Sequence, residues 1–88
     1  MGKYISYTSQ GFAGTTFAEK SEAIKADGAT PIEEPKEWKE NLVVVVDNES
    51  FAAVAYAHNE AELIRFKSHY DGRIYQWYNY PNASQFAV

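Results

Sequence analysis

The chain has 88 residues, 7 Tyr, 5 Phe, 2 Trp and no cysteine, and its 8 basic and 12 acidic side chains give a formal charge of −4. That length implies one domain, residues 1–88. Zero cysteine excludes a disulfide scaffold, a thiolate metal site and a thiol nucleophile. No stretch approaches the ~20 apolar residues of a membrane helix, and no apolar signal region follows Met1-Gly2-Lys3-Tyr4, so a soluble, cytoplasmic protein is expected.

Lys3 to Thr8 is rich in β-favouring residues and reads as a first strand. Thr16-Phe17-Ala18-Glu19 is a capping box, in which the Thr hydroxyl and the Glu carboxylate each take the other's backbone amide. It predicts a helix to about Ala26, with Phe17, Ser21 and Ile24 on its buried stripe. Asp27-Gly28 ends that helix, because glycine tolerates the left-handed cap conformation. From Ala29 to Asn41 the pattern is broken by Pro31 and Pro35. Ala29–Ile32 suits a short extended piece, and Pro35–Trp38 one helical turn with proline first.

Leu42 to Val46 is a strand apolar on both faces, and Asp47–Ser50 reads as the turn of a hairpin returning through Phe51–Ala57. Four alanines in the return leave a helix as the rival reading there. Asn59-Glu60-Ala61-Glu62 caps a second helix that runs to about His69. Leu63, Phe66 and Tyr70 share one face of it. Asp71-Gly72 is a turn dipeptide, Arg73–Tyr80 is the last strand, and Pro81 stops it.

The order β-α-β-β-α-β predicts an α+β domain of ferredoxin-like, split βαβ type: one antiparallel sheet with two helices on one face. In that arrangement the valine strand lies at a sheet edge, where an apolar strand invites pairing. Its cover is then a second copy of the chain, the 29–41 segment or the C-terminal tail.

Charge and aromatics are unevenly spread. Residues 63–88 hold Arg65, Lys67 and Arg73 against Asp71, and with them Phe66, Tyr70, Tyr75, Trp77, Tyr78, Tyr80 and Phe86. Cations interleaved with aromatics suit single-stranded nucleic acid, since bases stack on flat rings and phosphates pair with cations. Tyr75, Trp77, Tyr78 and Tyr80 alternate along one strand, so one pair is expected to face solvent, a partner or a ligand. Phe51, Ala52, Val54 and Tyr56 resemble the RNP1 strand of RNA-recognition motif domains, and Tyr4-Ile5 resembles their RNP2 pair. The resemblance implies base stacking on Tyr4 and Phe51. Glu49, Ser50 and Ala53 depart from that pattern, and the net charge opposes phosphate.

His58 and His69 show no metal-ligand spacing, and no nucleophile–base pairing is legible, so neither metal, cofactor nor catalytic residue is expected. Glu33, Glu34, Glu37 and Glu40 form an acidic run interrupted by Lys36 and Lys39. Small acidic inhibitor proteins, phage-encoded ones included, are analogous in size and charge. The expectation is a non-enzymatic binding or regulatory module, a homo-oligomer through its sheet face or edge, with a protein partner. Its candidate binding residues are Tyr4, Phe51, Tyr75, Trp77, Tyr78, Tyr80, Arg65 and Arg73. The alternatives are RNA binding on an aromatic sheet face, or a small ligand-binding or oxygenase-like enzyme of the dimeric ferredoxin-like type. No membrane association is expected.

Overall fold

A computed structural model of the chain describes residues 5–7, 16–48 and 51–86. Five strands and two helices follow in order: β1 (Ile5–Tyr7), α1 (Phe17–Ala26), β2 (Thr30–Ile32), β3 (Leu42–Asn48), β4 (Phe51–Tyr56), α2 (Glu60–His69) and β5 (Ile74–Asn79). A 3₁₀ segment, Pro81–Phe86, follows β5. The α+β expectation of one antiparallel sheet with two helices is met. The sheet order is β1-β4-β3-β5-β2, and each neighbouring pair is antiparallel.

The caps form as their local chemistry dictates. Thr16 accepts from the Glu19 amide at 3.1 Å, and the Glu19 carboxylate accepts from the Thr16 amide at 3.1 Å. Gly28 follows α1 with φ of +105°, a conformation that a side chain would strain. The Asn59 side chain caps α2 by accepting from the Glu62 amide at 2.9 Å. The 29–32 segment is extended as expected, and it pairs with β5. Pro35–Trp38 is a bend and not a helical turn. Trp38 is instead held from α2's side, its indole donating to the Ala57 carbonyl and its backbone amide to Glu60, each at 3.0 Å.

The placement of the helices corrects the sequence reading. Ile24 of α1 shares a core with Val43, Val45, Val54 and Tyr78. Leu63, Phe66 and Tyr70, from α2 and its C-terminal cap, share another with Val44, Val46, Ala53, Ala55 and Trp77. Successive strand residues point to opposite faces, so the two helices lie on opposite faces of the sheet. The topology explains this. α1 links β1 to β2, which are parallel at the two edges of the sheet, and α2 links β4 to β5, which are parallel with β3 between them. Both connections advance across the sheet in the same direction, but their strands point oppositely. Right-handed crossovers then require opposite faces.

Three expectations change as a result. The valine strand β3 is central, flanked by β4 and β5, and it is doubly apolar because each face has its own helix. The open face from which self-association was expected is covered by α2. The 29–41 segment does not cover a valine edge; its strand extends the sheet beyond β5. The tail does contribute to the core: Tyr80 and Ala83 are buried on the α1 side. The Tyr80 hydroxyl donates to the Asp27 carboxylate, and the Asn82 amide donates to the same carboxylate at 3.1 Å. These bonds tie the tail to the C-terminal cap of α1.

Candidate binding groove beside the fifth strand

β5 carries the residues singled out from the sequence, and it is irregular. Its ladder with β3 passes from Gln76 opposite Val45 to Ile74 opposite Val46, so Tyr75 is an extra residue, a β-bulge. The bulge breaks strict alternation and re-aims one side chain. Trp77 is packed on the α2 side and Tyr78 on the α1 side, both buried, and Tyr80 is fully buried. Alternation therefore does not force an aromatic pair outward, because both faces are interior. Tyr75 alone of the four is exposed, at 51%, with its ring stacked on Phe17 at 5.5 Å between centroids.

The other predicted residues scatter. Arg65 is exposed on α2. Arg73 is half-buried: its guanidinium donates to the Asp47 carbonyl, through Nε at 2.9 Å and also through Nη2, and lies 5.7 Å from the Tyr70 ring centre. It pins the turn before β5 to the end of β3. Tyr4 lies outside the described residues. Phe51 opens β4, and its side chain also lies outside them.

β2 pairs with Trp77–Asn79 only. Among the described residues no strand pairs with Ile74–Gln76 on the side away from β3. The chain turns off after Ile32, and the Gln76 side-chain amide takes the last carbonyl, donating to Ile32 O at 2.7 Å and to Trp77 O at 2.9 Å. A groove of about 550 Å³ runs beside this bare stretch of edge. That volume is in the range of functional ligand sites. Ile32, Ile74, Tyr75 and Trp77 supply its apolar wall. Glu33 and Glu34 rim it after β2, and Lys67, Asp71 and Gly72 rim it at the end of α2. Three carboxylates thus face one ammonium, and Lys67 pairs with Glu34 across the groove at 3.6 Å.

Glu33 and Glu34 belong to the acidic run noted in the sequence. Lys67 stands out in the sequence only as one of the cations near the aromatics, and Asp71, Ile32 and Gln76 carry no site signal, since nothing local distinguishes a turn aspartate from solvated surface. Of the other acidic groups, Glu19 is engaged in its capping box and Glu22 pairs with Lys25 at 3.2 Å.

His58 and Glu62 make a second polar cluster. Glu62 is 1% exposed, and its Oε1 accepts from the His58 amide at 2.7 Å and meets His58 Nδ1 at 2.8 Å. The ring also packs on Tyr56 at 4.6 Å. A buried carboxylate satisfied this way joins the end of β4 to the first turn of α2. No group of three or more metal-ligating side chains occurs among the described residues. No described helix is long and apolar enough to cross a membrane.

No family model matches this chain, and no curated protein or solved structure is significantly similar to it.

Proposed function

We propose that this protein is a small non-enzymatic binding module that works through the edge of its sheet at β5. The carrying observation is the groove of about 550 Å³ beside Ile74–Gln76, where a strand edge and an aromatic wall are both available. An unpaired edge offers backbone donors and acceptors to an extended segment, while neighbouring pockets select its side chains. The fold supporting this edge reads as a rearranged split βαβ order, in which the second crossover runs over the opposite face. Self-association through a sheet face loses its motive, since α1 and α2 cover the two faces of the central strands. A base-stacking face is likewise unsupported at Trp77, Tyr78 and Tyr80, which are core.

The test is amide chemical-shift mapping of the full chain during titration with an acetylated hexapeptide of alternating threonine and arginine. Shifts concentrated at Ile32–Glu34 and Asp71–Trp77 support the reading. Shifts concentrated on the outer surfaces of α1 and α2, or none at all, refute it.

A further inference from the structure

Resting on that reading, we infer that the β5 groove selects an extended peptide segment carrying a basic side chain, arginine or lysine. Two independent features of the groove point to a cation. The first is charge: among the described lining residues Glu33, Glu34 and Asp71 outnumber Lys67, and the whole chain is at −4. The second is the ring of Tyr75, half exposed and held in place by stacking on Phe17. An aromatic face attracts a guanidinium or ammonium through its quadrupole, more strongly as water is excluded. The same ring does nothing comparable for a carboxylate.

The geometry of the edge sets the shape of the occupant. Among the described residues β5 has no partner over Ile74–Gln76 on the side away from β3, and β2 blocks the edge from Trp77 onward. A segment of a few residues therefore fits end to end with β2, on the same line of the sheet. Alternate side chains of such a strand point to one face. One of them then lies along the groove wall, with Glu33, Glu34 and Asp71 at its rim. Lys67 is the one cation among the described lining residues, and its bond to Glu34 spans the path. Displacing that contact exchanges one partly exposed ion pair for another, which costs little.

The experiment compares three acetylated hexapeptides in which threonine alternates with arginine, glutamine or glutamate, titrated into the full chain and into two variants. Affinity and amide shifts are both read. The arginine peptide is expected to bind tightest, and the glutamate peptide weakest. Replacing Glu33, Glu34 and Asp71 by their amides (E33Q/E34Q/D71N) should weaken the arginine peptide by about five- to tenfold, on the scale of partly exposed charge pairs. Lys67→Gln frees Glu34 and should tighten it by about two- to fivefold. That gain cannot come from a damaged fold. Equal binding of the arginine and glutamine peptides at the same amides would overturn the cation inference and leave the edge site standing. Failure of all three peptides to shift Ile74–Trp77 would overturn both. Concentration-dependent shifts of those amides without peptide, with a dimer in sedimentation, would make a second copy the occupant and overturn the inference.

Discussion

Lys20 offers the sharpest test of the packing. It sits on the inner side of α1, fully buried, and among the described residues its Nζ has no hydrogen-bond partner. Burial disfavours the charged amine and lowers its pKa from 10.5. Folding must therefore either strip the ammonium of water or remove its proton. Either route is unfavourable, and relaxation of the surroundings only reduces the cost, so Lys20→Met, which keeps the length and removes the charge, should stabilise the protein by about 1–2 kcal/mol. For a domain of this size that raises the melting temperature by roughly 5–15 °C.

The sign with pH follows from linkage. A lowered native pKa means that the unfolded chain holds more protons between the native value and 10.5. Wild-type stability therefore gains from this group as pH rises through that window and loses as pH falls. Urea unfolding followed by Trp38 and Trp77 fluorescence, at pH 7 and near pH 10, measures both effects. The advantage of Lys20→Met should shrink toward the higher pH, a difference in which contributions common to both proteins cancel. A variant less stable than wild type, or a constant gap, would refute the reasoning.

Other substitutions probe separate contacts. Phe66→Ala empties a fully buried site at the centre of the α2 side, next to the edge of the Tyr70 ring. It should cost about 3–5 kcal/mol, a large share of a stability of about 4–13 kcal/mol, and circular dichroism melting will show it. Glu62→Gln disrupts the acceptor for the His58 amide and ring. A loss of about 1–3 kcal/mol is expected in urea titration. Gly72 has φ of +79° with open space where a Cβ would stand. Gly72→Ala should therefore cost about 1 kcal/mol from the backbone alone, and a much larger melting shift would mean a steric clash. Ile64, exposed at 59% on α2, should accept Ile64→Lys within about 0.5 kcal/mol in the same assay.

Local chemistry was the legible part of the sequence. Thr16 with Glu19, Asn59 with Glu62, and Gly28 after α1 act within a few residues of themselves, so spacing reveals them. The double burial of the valine strand was also legible, because every residue from Leu42 to Val46 is apolar. Its cover was not. Whether α2 crosses the sheet on the same face as α1 or the other depends on which strand β5 joins, a pairing that nothing in α2 encodes. The bulge at Tyr75 was hidden for a related reason: the extra residue exists only relative to Val45 and Val46 across the ladder. Trp77, Tyr78 and Tyr80 looked like a surface because the sheet was given one covered face. The groove joins the end of β2, the end of α2 and β5, three segments whose side chains read as ordinary surface until the fold places them side by side.

The central claim, that the sheet edge at β5 is the binding surface, is tested most directly by isotope-filtered nuclear Overhauser contacts between unlabelled arginine–threonine hexapeptide and labelled protein. The account predicts cross-strand contacts from the peptide backbone to Ile74, Tyr75 and Gln76, together with contacts from an arginine side chain to the Tyr75 ring. Contacts to Ile64 and Arg65 on the outer surface of α2, with none to β5, would contradict it.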